Sequence, residues 1–431
     1  MKSWINQIRE NLVIILITFI AFANRIWRLD SPKGFIFDEV YYVKNANSLI
    51  NHGVELSGTP AAAEFVVHPP LGKWLIGLGI QLFGNNEFGW RISAAVIGSA
   101  LVPLIYLIAK HLFKSVFLAN LCALLIALDG LALVMSRIAL LDIFLTVFLL
   151  VAFLFWLKGN HLIAGIAIGA AISTKWNAAY IYCALLAYLL FFLAKNFKNI
   201  YYKYLGLQLL NYVLIPALTY LISWTGWFLS SSGYKRNSSS NPIVALWNYH
   251  VEILHFHRNL TEPHSYSANP FGWLILRRPT SFYFESDNLG SSCGASKCAQ
   301  EILALGTPVL WWFAIFCLFL LIFDAFKHKS RLAVSILAPF LSLYLPWLLI
   351  TQRTTFYFYS ITLLPFLVLA IGYFFHRIRE LRPHSELFTL WIPISLVAIV
   401  AANFLYFLPI FMGLGIKYAA WQKLMWFVSW I

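Results

Sequence analysis

Two adjacent carboxylates, Asp38 and Glu39, stand in the segment F-D-E-V-Y-Y at residues 37–42. A carboxylate within hydrogen-bond reach of a hydroxyl can take its proton as a new C–O bond forms, so this pair could supply a general base. The same residues also suit plain structure. Asp is a good helix N-cap, and acids favour the positive end of a helix. The two duties are compatible, because capping fixes a carboxylate in place, and the sequence leaves open which acid would take a proton. A second segment, H-P-P-L-G-K at 68–73, brackets a helix start with His68 and Lys73. Pro69 and Pro70 pre-set that start. The ordinary expectation there is a helix-initiating His-Pro-Pro and a lysine whose stem lies along apolar surface.

Further ionisable residues fall near the ends of apolar runs: Arg91, Asp129, Arg137, Asp142, Lys175 and Arg353. A charge at the centre of a membrane span costs about 2.5–3.5 kcal/mol on insertion scales, so charges at span ends call for a reason. Interhelical ion pairs and interface anchoring are one reason, and Arg91, Arg137 and Asp142 are expected to be partly structural. Neutralising the phosphate of an anionic lipid is the other, with Arg137, Lys175 and Arg353 as candidates by position. A later segment carries four histidines, His250, His255, His257 and His264. His255 and His257 are two apart and point to different helix faces, and no cysteine or repeated carboxylate completes a ligand set, so no metal site is expected. The aromatic and hydroxyl side chains of this segment, His264 and Tyr266 among them, suit a sugar or peptide surface. Cys293 and Cys298 lie together in a polar loop, where a local disulfide is allowed in an oxidising compartment. Cys122, Cys183 and Cys317 read as small core residues.

The elements that hold these groups are dictated by composition. The chain has 431 residues, 61% hydrophobic and 11% charged. Soluble domains carry about 25% charged residues, so lipid must be the main solvent here. The net charge of +14 serves membrane topology and anionic headgroups. No basic, aromatic-interleaved surface segment marks a nucleic-acid partner. Apolar runs predict about eleven spans, each near the length a bilayer requires. They lie at 11–29, 91–109, 115–134, 140–157, 161–175, 178–194, 206–226, 307–326, 332–351, 356–376 and 388–412. The first reads as a retained span, since no small-residue cleavage site follows it.

Lys2, Arg9, Lys110, Lys114, Lys158, Lys195, Lys198, Lys203, Lys327, Lys329, Arg331, Arg377, Arg379 and Arg382 all fall on one side if the spans alternate. That side is cytoplasmic by the positive-inside rule. The short opposite links carry one cation each, Arg137, Lys175 and Arg353. Two long segments, 30–90 and 227–305, then face outward, the first with a surface helix from Asp38 to Gly53. Residues 413–431, with Trp421, Trp426 and Trp430, read as an interfacial segment. No internal repeat or Pro/Ser-rich linker divides the chain, so 1–431 is expected to form a single membrane domain.

The ordered set F-D-E-V-Y-Y (37–42), H-P-P-L-G-K (68–73), G-W-R-I-S-A (89–94), S-R-I-A-L-L-D (136–142), S-T-K-W-N (173–177) and L-T-E-P-H-S-Y (260–266) resembles the protein O-mannosyltransferase family. Any one motif is unspecific; the set in this order, over most of the chain, is specific. The compact second loop looks like the bacterial, especially actinobacterial, branch. Tyr41-Tyr42 departs from the His-Phe of many eukaryotic members. The resemblance implies an all-α polytopic glycosyltransferase of GT-C type in the cell membrane, with its site on the extracytoplasmic face. It implies inverting transfer of mannose from polyprenyl-phosphate-mannose to Ser or Thr of exported proteins, possible contact with the export machinery, and no cofactor. Asp38 and Glu39 would match the catalytic acid pair and Arg91 an arginine beside it. By position alone, Arg137, Asp142, Lys175 and Arg353 are candidates to orient the site or meet the donor phosphate. His68, Lys73, His264 and Tyr266 would belong to the acceptor and sugar loops. Rival readings are another GT-C enzyme, such as an aminosugar or oligosaccharyl transferase, a transporter, or a non-enzymatic scaffold.

Overall fold

The computed structural model describes residues 2–195, 202–286 and 293–431. Lys198, one of the orienting cations, and residues 287–292 of the second loop lie outside them. Among the described residues six helices are long and apolar enough to cross a membrane, and five shorter apolar helices accompany them. The predicted spans coincide with helices, with informative differences. The stretch predicted at 115–134 is broken into Val116–Ala127 and Gly130–Met135. Asp129 breaks it by capping: its Oδ1 accepts the Ala132 N–H at 2.9 Å, and its Oδ2 takes the Thr307 N–H at 3.0 Å and the Trp311 indole N–H at 2.8 Å. The stretch at 356–376 opens as a 3-10 turn, Tyr357–Thr362, before the Leu364–Leu381 helix.

The chain divides into two compact units. One comprises the chain up to Phe37, Ala95–Arg137 and Pro263–Ile431. Its core is the Leu364–Leu381 helix, against which Val116–Ala127 and Pro308–Phe326 pack. Residues Leu364 to Tyr373 are buried without interruption, as expected of a helix that is apolar all round. This unit also contains strands the sequence reading did not foresee. Thr280–Glu285 pairs antiparallel with Cys298–Ala304, which pairs in turn with Ile416–Lys417. The run T-S-F-Y-F-E carries the β-branched and aromatic residues that suit a strand. Cys293 and Cys298 are disulfide-bonded at the mouth of this hairpin. After Ile416–Lys417 the C-terminal segment contributes a seven-residue helix, Tyr418–Leu424, and a short 3-10 turn.

The second unit comprises Asp38–Ala94 and Ile138–Glu262. Here Asp142–Leu157 packs on His161–Thr174, and that helix on Ile215–Ser223. The close approach is written in the sequence as G-I-A-I-G, a small residue every fourth position. A Cβ on Gly165 would lie 2.0 Å from the Asn211 carbonyl oxygen, and one on Gly169 would lie 2.9 Å from Pro216. Within the same unit the Glu39–His52 helix lies on Leu71–Phe83. The first is stopped by Gly53, whose φ of +76° is the left-handed conformation glycine adopts without strain.

Candidate active site

The carboxylate pair sits where the chain enters the Glu39–His52 helix. Phe37, just before it, has a φ of +50°, a left-handed conformation that costs a side-chain-bearing residue about 1–2 kcal/mol. Its ring is fixed among Phe282 (5.0 Å between centroids), Phe356 (5.6 Å), Phe358 (5.7 Å) and His264 (5.8 Å). Strain held by packing of this kind marks a segment whose direction is fixed.

Asp38 occupies the N-cap position, yet its side chain makes no capping hydrogen bond. Only its carbonyl joins the helix, accepting the N–H groups of Tyr41 at 3.0 Å and Tyr42 at 3.1 Å. The half-buried carboxylate instead takes a hydrogen bond from the Tyr42 hydroxyl, within electrostatic reach of Lys175 and Asp142. Burial pushes its pKa up to about 6. Lys175 and the Tyr42 hydrogen bond pull it down, and Asp142 pushes it further up. A carboxyl poised there is ionised at neutral pH and more basic than an ordinary aspartate.

Glu39 is different in kind. It is fully buried and receives both Arg91 Nε on Oε1 and Arg91 Nη2 on Oε2, each at 2.8 Å. The Ala139 N–H adds a third bond to Oε1 at 3.0 Å. A bidentate arginine plus a backbone donor satisfies most of what a carboxylate can accept. The adjacent acids therefore have separate duties, with Glu39 and Arg91 forming a buried strut beneath Asp38.

The remaining cations also find partners. Lys175 Nζ donates to both oxygens of Asp142, at 2.9 and 2.8 Å, in a buried pair. Lys73 does not run along apolar surface to solvent; it is buried and paired with Glu55. Arg137 closes the end of the Lys2–Ile26 helix. Its Nη1 donates to the carbonyls of Asn24 (3.0 Å), Arg25 (3.0 Å) and Trp27 (2.7 Å). Orphan C-terminal carbonyls are ordinary partners for an arginine, which gives the guanidinium the structural part expected of it. Arg353 lies over the Trp347 ring at 5.7 Å.

One histidine of the long second loop, His257, does meet the first. His257 stacks on His68 at 5.4 Å, and its Nε2 approaches the Val67 carbonyl at 2.9 Å. Trp176, next to Lys175, lies 6.0 Å from His257 and 5.5 Å from His250, whose Nε2 is 2.7 Å from the Tyr220 hydroxyl. His264 and Tyr266 belong to the other unit, with His264 against Phe356 and Tyr266 under Arg278. Among the described residues no three His, Cys, Asp or Glu side chains converge as a ligand set. The sequence marks Tyr42 only as part of a departure from the His-Phe of many eukaryotic members, and it does not mark Glu55 at all. A tyrosine one turn after Asp38 was the available signal for the first, and for the second there was none.

Residues 15–225 match the family model described as dolichyl-phosphate-mannose-protein mannosyltransferase. Residues 242–430 match the C-terminal four-transmembrane region of protein-O-mannosyltransferase. The chain is similar to the polyprenol-phosphate-mannose–protein mannosyltransferase of Mycobacterium tuberculosis, 29% identical over 99% of this chain and 93% of that protein. The Corynebacterium glutamicum protein of the same name is likewise 29% identical, over 96% and 92%. In structure the chain resembles the Saccharomyces cerevisiae protein O-mannosyltransferase Pmt1-Pmt2 complex bound to the sugar donor, with a TM-score of 0.82, 15% identity and coverage of 98% and 93%. It also resembles ArnT from Cupriavidus metallidurans, with a TM-score of 0.57, 14% identity and coverage of 96% and 77%. These likenesses give the fold, the helical polytopic membrane architecture of GT-C glycosyltransferases.

Proposed function

We propose, on the premise that this chain belongs to the dolichyl-phosphate-mannose–protein mannosyltransferase family, that Asp38 is the general base of its reaction. The enzyme moves mannose from a polyprenyl phosphate to protein. The acceptor is a Ser or Thr hydroxyl, a poor nucleophile until its proton is taken. Asp38 accepts that proton as the hydroxyl oxygen bonds to the anomeric carbon. The bond from that carbon to the phosphate oxygen breaks on the opposite face, inverting the centre, and polyprenyl phosphate leaves with the electron pair. Cations fixed near the leaving oxygen stabilise this charge without reorganising. Lys175, the cation acting on Asp38, fills that role from the same unit.

The observation that carries the assignment is the contrast between the two acids. Glu39 is saturated by Arg91 and the Ala139 N–H, whereas Asp38 forgoes its capping bond. The test is transfer of labelled mannose from polyprenyl-phosphate-mannose to a Ser/Thr-rich peptide by the purified protein, followed against pH. With the base titrating near 6, kcat/KM is flat above about pH 7 and falls about tenfold per unit well below 6. A rate independent of pH between about 5 and 8 would remove Asp38 from the role.

No metal is required in this scheme, because protein cations serve the leaving phosphate. Turnover is therefore expected to survive a chelator unchanged. Loss of activity restored by one divalent ion would overturn that expectation. The enzyme is placed in the cell membrane with its site on the extracytoplasmic face, where exported chains arrive from the export machinery. Two observations support this orientation: the one-sided distribution of Lys and Arg, and the Cys293–Cys298 disulfide, a bond that persists in oxidising compartments.

A further inference from the structure

We propose that Tyr42 is a positioning residue for the base: its hydroxyl clamps the Asp38 carboxylate in the orientation that meets the acceptor. This rests on the reading of Asp38 as the base. The geometry follows from helix construction. Asp38 and Tyr42 are four residues apart, so they share one face of the helix. Helical side chains lean toward the N-terminus, and a long side chain at the fourth position reaches back over the first. The backbone bond from Tyr42 N to Asp38 O, 3.1 Å, fixes that register, and the phenol hydroxyl closes a second bond onto the carboxylate. Tyr41, one position earlier, faces away and is 61% exposed.

A carboxylate that does not cap its own helix is free to rotate about two side-chain bonds. Something must hold it if the base is to be found in one place, and a donor from the same helix does so without help from any other element. The Tyr42 ring is itself braced, 6.0 Å from His68, which stacks on His257. The titratable and charged groups facing this pair are Lys175, Asp142 and His68, with the buried Glu39–Arg91 pair below. The hydrogen bond also favours the ionised carboxylate. Removing it has two separable consequences: the base becomes harder to ionise, and it becomes harder to aim.

Tyr42→Phe in the full-length enzyme tests this, with kcat and KM for the peptide measured across pH. The acid limb of kcat/KM is expected to move up by about one unit. The loss of kcat is expected to be about tenfold near pH 6 and only a few-fold above pH 8, with KM for the peptide unchanged. A fluorinated tyrosine at position 42, a stronger donor, is expected to shift the limb the opposite way. A wild-type acid limb in Tyr42→Phe overturns the proposal, as does a loss that is uniform with pH. The two readings fail differently: full turnover in Asp38→Asn removes the base itself, whereas an inactive Asp38→Asn beside an unshifted Tyr42→Phe removes only the clamp.

Discussion

Asp38→Asn is expected to insert and fold as the parent protein does while losing about 10²-fold or more of its mannosyl transfer, the scale on which a general base contributes. Asn keeps the shape and can still accept the Tyr42 hydrogen bond, so the loss reports the missing proton acceptor. Stability supplies an independent check on the same substitution. The carboxyl titrates near 6 in the folded protein and near 4 in an unfolded chain. A raised value means that the folded state holds the proton more tightly. The stabilisation this gives is complete below about pH 4 and is lost as pH rises through 6. Above that range the parent carries a partly desolvated anion that the variant lacks. The thermal midpoint of Asp38→Asn at pH 8 is therefore expected to equal or exceed that of the parent. Turnover at the parental rate in labelled-donor assays would reject the role of Asp38, and a marked fall in thermal midpoint would make it structural.

Arg91→Ala should fail at an earlier stage. The guanidinium is 1% exposed and the Glu39 carboxylate 0%, so removing Arg91 leaves a buried charge without its bidentate partner. Breaking such a pair from one side costs about 3–5 kcal/mol, a large share of the stability of a typical fold. The expected result is little monodisperse protein after detergent extraction, and loss of activity that follows the loss of protein. The double variant Glu39→Gln with Arg91→Met is the discriminating control. Gln still accepts the Ala139 N–H, and Met fills apolar space without a charge. If the ion pair serves only as a strut, the double variant regains folded yield and a measurable part of the transfer rate. A well-folded Arg91→Ala of wild-type stability would show that the pair bears no structural role.

What could be read from the chain beforehand follows a physical divide. The spans were legible because a bilayer demands a fixed length of apolar residues, and helices such as Pro308–Phe326 and Arg331–Leu349 satisfy that demand within themselves. Asp38 and Glu39 were legible as a pair, and Arg91 as a charge needing a reason. Their division of labour was not, because it depends on contacts across 52 and 100 positions. Lys73 shows the same limit: its partner Glu55 lies 18 residues back in a segment with no pattern to announce it. Arg137 was legible as partly structural, but its partners were not, because they are main-chain carbonyls, which no sequence displays. The Thr280–Glu285 strand has no periodic signal, because Thr280, Ser281 and Phe282 are buried in succession and no two-residue alternation marks it.

The buried Lys175–Asp142 pair has a consequence for the timing of charge. Taken with ionised Asp38, the three groups carry one net negative before reaction. Taking the acceptor proton brings the trio to neutrality in the same event that leaves the departing lipid phosphate one charge more negative. Protein and product thus change charge in opposite senses, and the field across the membrane surface is left nearly as it was. Such a site would move sugar with little electrical work against a membrane potential, and its turnover should respond weakly to voltage imposed across a proteoliposome.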